Sequence, residues 1–209
     1  MELHEALTQI AEIRQQMART EVFRGYRAVP VAFSGLLAWG AAITQAIWIP
    51  DPIAHLPAYL SLWIGAAIIS AIASGLGMAW RASHAPASSW SREITRLAVE
   101  QFAPCLVAGG LLTIVLVRTA EESLWMLPGL WSVLFSLGIF ASRRLLPRAT
   151  AAVGLFYLGA GLACLILARG PYSLSPWAMG VPFGVGQIFA AAVLYGTLER
   201  QHGLEEART

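Results

Sequence analysis

The chain has 209 residues, 57% of them hydrophobic and 12% charged, where an ordinary soluble domain has roughly 45–50% and 25%. That balance argues against a soluble globular class and for a membrane protein. The net charge is +2 and Arg is scattered along the chain, which gives no basis for a nucleic-acid-binding surface. All fourteen basic residues are Arg, a usage that suits a GC-rich bacterial genome.

Residues 1–27 form a first unit unlike the rest. On a wheel of about 100° per residue, Leu3, Ala6, Leu7, Ile10, Ile13 and Met17 fall within an arc of about 120°. Glu2, Glu5, Gln9, Glu12, Gln15, Gln16 and Arg19 lie outside it. The pattern predicts an amphipathic cytoplasmic helix. A signal peptide is disfavoured by the length and by Glu2, Glu5, Glu12 and Glu21. A helix lying on anionic lipid would carry Lys or Arg on its polar face, where this one carries mostly Glu and Gln. Its apolar stripe, Leu3, Leu7, Ile10, Ile13 and Met17, is therefore read as an assembly element. The expected partner is a second copy of the chain, giving a homo-oligomer. Docking on its own chain and binding a cytoplasmic protein partner are the alternatives. The stretch "EVFRGYR" then joins it to the membrane domain.

Residues 28–198 read as an all-α polytopic membrane domain. Six stretches, about 28–49, 58–80, 99–117, 124–142, 149–168 and 177–198, approach or exceed the roughly 18–20 apolar residues that cross a bilayer as helix. Trp48, Tyr59, Trp80, Trp125, Tyr172 and Trp177 stand near their ends, as in an interfacial aromatic belt. Ser88 or Ser89 can cap a cytoplasmic helix that runs into the third span, with a bend expected near Pro104.

Arginine then sets the orientation. Arg14, Arg19, Arg24 and Arg27 precede the first span; Arg81, Arg92 and Arg96 separate the second and third; Arg143, Arg144 and Arg148 separate the fourth and fifth; Arg200 and Arg208 follow the sixth. The alternate loops hold only Arg118 and Arg169. This bias predicts a bacterial inner-membrane protein with both termini, including the tail 199–209, in the cytoplasm. A weak echo links "LPAYLSLW" (56–63), "LPGLWSVL" (127–134) and "SPWAMGVP" (175–182). It suggests three helical hairpins in series.

Chemistry is sparse. His4, His55, His84 and His202 are far apart, Cys105 and Cys164 sit in apolar runs, and no nucleophile elbow, phosphate loop or paired intramembrane acid is present. No catalytic set, metal site or cofactor is expected, and an enzyme is disfavoured. Asp51 with His55, and His84 with Glu93, are the pairs worth inspecting. The one pointer to a ligand is "MGVPFGVGQ" (179–187), where Pro182 and the three glycines Gly180, Gly184 and Gly186 precede Gln187 near mid-bilayer. An interrupted helix there would expose backbone to a cavity. Gln187, Tyr157, Ser70, Ser136 and Pro182 are the candidate ligand-binding residues. The competing reading makes Gly180 and Gly184 a close-packing pair and the polar residues interhelical bonds.

Three functions follow in order. The first is a non-enzymatic scaffold or regulatory protein that binds membrane lipid or a neutral hydrophobic molecule. The second is a transporter or channel for a small neutral solute near Gln187, and the third an enzyme of unseen chemistry.

Overall fold

A computed structural model describes residues 28–84, 89–144 and 146–199. The N-terminal unit with its stripe of Leu3, Leu7, Ile10, Ile13 and Met17 lies outside the described residues, as does the tail from residue 200. Among the described residues the protein is helical without strands. The helices are α1 (Ala28–Trp48), α2 (Leu56–His84), α3 (Ser89–Thr119), α4 (Leu127–Ala141), α5 (Thr150–Leu167) and α6 (Pro176–Leu194). A 3-10 turn, Glu121–Met126, leads into α4, and a π-helical turn, Tyr195–Glu199, ends α6. All six are long and apolar enough, with the turn before α4 included, to span a membrane.

Pro57, Pro128 and Pro176 occupy the first two positions of α2, α4 and α6. A first-turn proline forfeits no helical hydrogen bond and presets the backbone for a helix. That common start accounts for the echo among the three segments. The helix predicted to start near Ser89 does run on into the third span, and α3 continues through Pro104 to Thr119.

The Pro/Gly-rich stretch of span six allows either an interruption or close packing, and α6 continues from Pro176 through Pro182 to Leu194. Proline at 182 has no N–H for the carbonyl of Ala178, four residues earlier. The Cys164 thiol of α5 lies 3.4 Å from that carbonyl oxygen and donates to it. Cys164 thereby covers the group that Pro182 strands, which its apolar sequence context did not reveal.

Glycine decides which helices meet. α1 and α6 run antiparallel in close contact: Ala28 and Val31 pack with Ala191 and Leu194, and Gly180 sits so near α1 that a Cβ there would fall 2.6 Å from that of Ala42. α4 and α5 form a second close pair. A Cβ on Gly129 or on Gly161 would come within 2.8 Å of the other's carbonyl oxygen. Within a bilayer, such close approach replaces the hydrophobic drive that water provides elsewhere.

Around this inner group, α2 packs on α1 and α3 on α4, while α6 also touches α5 and α4. Burial follows the same division. In α1, in the span leading through α4, and in α6, 39% of the most apolar window is buried; in α2 and α3 the share is 11%.

Gly159 and Gly161 test the packing directly, since both lie on α5 and nothing stands within 4 Å of a Cβ at Gly159. Gly161→Leu is expected to destabilise the fold by about 1–3 kcal/mol through overpacking against backbone. Gly159→Leu should change little. Unfolding of both variants in a mixed-micelle denaturant titration checks this, and equal midpoints would contradict the packing.

Candidate functional site

The best-defined polar arrangement lies where α1 ends and α2 and α6 begin. Gln45 is fully buried one turn before the end of α1. Its amide nitrogen donates to the Leu174 carbonyl at 2.7 Å, and its amide oxygen accepts from the Trp63 indole N–H at 2.8 Å. One side chain thus joins α1, α2 and the loop before α6. Each bond also satisfies a group that would cost several kcal/mol bare in hydrocarbon.

Leu174 adds a backbone feature. It has φ 54°, the left-handed region that costs a branched side chain roughly 1–2 kcal/mol. The residue is held there from both ends, because its side chain is fully buried and its carbonyl is bonded to Gln45. Around the clasp, Ala38, Ala41, Ala42, Tyr59, Trp63, Leu124, Leu127, Leu174 and Met179 form one apolar cluster. Leu116 and Val117 of α3 pack against it. On the surface nearby, the Arg169 guanidinium stacks 4.5 Å over the Trp125 ring.

Tyr157 belongs to an aromatic core between α3, α4, α5 and α6. Its ring centre lies 4.7 Å from that of Phe135 and 5.5 Å from that of Phe183, and Phe102 meets Phe135 edge-on. Gly186 leaves the room for it, since a Cβ there would collide with the Tyr157 ring. Tyr157 and Ser136 have no exposed surface and Pro182 is buried. The Ser136 hydroxyl has no hydrogen-bond partner.

Gln187 and Ser70 are partly exposed. The Gln187 backbone faces α1, its Cβ lying 3.2 Å from a Cβ built on Gly35. Its amide makes no hydrogen bond to a described residue. Ser70 is on α2, and no hydrogen bond ties it to the other four candidates. Tyr157 and Pro182 therefore sit within the inner helices, Gln187 at the α1–α6 contact, and Ser70 on the flanking helix.

Gln45 and Trp63 were not singled out from the sequence. The signal was available: Gln45 is an uncharged amide inside an apolar helix, as Gln187 is. Its partner in the loop is 129 residues away, so its role was not readable.

Of the two pairs singled out for reactivity, Asp51 with His55 takes part in a turn. Asp51 Oδ1 accepts the Ala54 backbone N–H at 3.1 Å, and the Asp51 carbonyl accepts from the His55 backbone at 3.1 Å. These bonds close the turn that starts α2. The side chains of His84 and Glu93 lie outside the described residues. Among the described residues no three His, Cys, Asp or Glu side chains cluster as a metal site would need. Set against protein families, curated proteins and solved structures, the chain matches none.

The clasp predicts non-additive substitutions. Gln45→Leu strands the Leu174 carbonyl and the Trp63 indole N–H, at about 1–3 kcal/mol each. Trp63→Phe strands one amide oxygen. In a double-mutant cycle read by unfolding, the pair should couple by about 0.6–1.7 kcal/mol; strict additivity would mean that the bond is absent in the folded protein. Tyr59 is fully buried with its hydroxyl unpartnered. Tyr59→Phe should therefore leave stability unchanged or raise it, and a loss above about 1 kcal/mol would reveal a partner.

Proposed function

We propose that this is a non-enzymatic scaffold or regulatory protein of a bacterial inner membrane that holds a membrane lipid or a neutral hydrophobic molecule within its helices. The observation carrying this reading is the scant burial of α2 and α3, of which 11% of each apolar window is buried. Two neighbouring helices that pack so little on protein offer their apolar surfaces to hydrocarbon guests. The uncharged character of the spans agrees, because pumping of ions would ask for ionisable groups at depth. Gln187 supplies one free amide that a guest's hydroxyl, ester or amide could meet.

Both termini are cytoplasmic in this reading, following the arginine bias. The stripe of Leu3, Leu7, Ile10, Ile13 and Met17 joins copies of the chain, because so short an amphipathic helix needs a protein surface to remain folded.

A second reading, passage of a small neutral solute, draws on the same unpaired Gln187 amide. It differs in needing a continuous polar route. Tyr157, Ser136 and Pro182, as buried as they are, would have to open to form one.

Native mass spectrometry on protein released in mild detergent tests the reading. The full-length chain is expected to form a defined oligomer carrying bound lipid, and a chain starting at Val22 to be a monomer. Gln187→Leu should retain severalfold less of that molecule at unchanged fold and assembly. If the variant loses stability yet keeps its guest, Gln187 is packing and not binding. Flux of neutral solutes into proteoliposomes, absent from empty vesicles, would favour transport instead.

A further inference from the structure

Two gaps of different character separate the packed faces of α6. Gly180, Gly184 and Ala191 are buried against α1, and Gly186 against Tyr157 of α5. On a wheel of about 100° per residue, one gap holds Val181, Val185 and Ala192, all exposed. The other holds Phe183, Gln187 and Ala190, with Gln187 turned about 200° from Val185. The Phe183 ring lies 5.5 Å from those of Phe135 on α4 and Tyr157 on α5, so this second gap faces the bundle. Its three residues are nevertheless only partly buried. A crevice between the helices therefore reaches Gln187 from within.

The fold treats its two membrane-depth glutamines differently. Gln45 is fully buried and bonded at both ends of its amide. The Gln187 amide makes no hydrogen bond to a described residue. Ser34, beside Gly35 at the same helix contact, donates to the Val31 carbonyl instead. Depth makes the unpaired amide costly. Gln187 stands eleven residues from Pro176 and ten from Thr197, the limits of its span, about 15–16 Å from either. That is the middle of a hydrocarbon core about 30 Å thick, where neither water nor a headgroup supplies a partner.

Depth and chemistry together select the guest. A glycerophospholipid keeps its ester and headgroup oxygens near the interface, so only its methylene groups would pass this amide. A charged head is disfavoured at such depth without an ionised partner. A primary amide presents N–H donors and a carbonyl acceptor side by side. Its complement is an uncharged head with an acceptor and a donor side by side.

We propose that the crevice beside Gln187 takes a single-chain amphiphile whose uncharged head pairs with the amide at two points, as a fatty amide or an undissociated fatty acid does. This narrows the lipid-holding reading above and rests on it. A second copy of the chain does not suit the position, because a helix docking on α6 from the bilayer meets Val181 and Val185.

The test compares hexadecanamide with methyl hexadecanoate, which has the same acyl chain and carbonyl but no proton to donate. Each is added to purified full-length protein in mild detergent, and the bound fraction is read by native mass spectrometry. One hydrogen bond in a membrane protein corresponds to about three- to fifteenfold in affinity. The wild type is expected to retain the amide over the ester by that factor. Gln187→Leu, and Gln187→Met with its unbranched side chain, should retain the two probes alike.

Equal retention by the wild type overturns the two-point guest, and phospholipid bound in the same spectra would leave the lipid-holding reading standing. A preference that survives in both variants overturns Gln187 as the partner. A wild type that retains neither probe and carries no lipid overturns both readings. The wild-type comparison decides the class even where a variant does not fold. The mass of the guest extracted from freshly purified protein then tells a fatty acid from a fatty amide.

Discussion

Inside a bilayer a side-chain amide must find partners within the protein, and Gln45 meets that demand with both of its ends. Its nitrogen holds the Leu174 carbonyl and its oxygen holds Trp63. The rest of that end of the bundle depends on the arrangement. Leu174 can occupy a left-handed backbone conformation because its carbonyl and side chain are both fixed. Trp63 can bury an indole because its N–H is satisfied. The first turns of α2, the last turn of α3 and the start of α4 then close over one apolar cluster.

Away from the clasp, cohesion comes from backbone proximity. The contacts of Gly180 with Ala42 and of Gly129 with Gly161 bring helix axes nearer than larger residues would allow. Dispersion then acts between backbones that no solvent drives together. Proline and cysteine solve a related problem on α6. Pro182 strands a carbonyl that the thiol of Cys164 covers, so a helix that its composition would weaken stays continuous. The inner helices are thus held by many short contacts. The apolar window of α2 is less enclosed, with 11% of it buried.

Much of the plan was legible in the residues. The six apolar stretches and the run of the third span from a polar helical start follow from hydropathy and local propensity. Those properties act over a few turns of chain. The close-packing reading of Gly180 was legible too, since a small residue on an apolar helix has few other uses. The polar residues were harder. Gln187 and Gln45 look alike in sequence, yet one amide is bonded at both ends and the other lacks a described partner.

What the sequence by itself determined is therefore the set of helices and their fitness for a membrane, because each depends on a local run of side chains. Which helices touch was decided only in three dimensions. α1 lies against α6 at the far end of the chain, and the amide of Gln45 meets a carbonyl 129 residues away. Such pairings depend on how closely two backbones can approach and on which polar groups remain to be satisfied once they do. Neither quantity belongs to any single stretch of sequence.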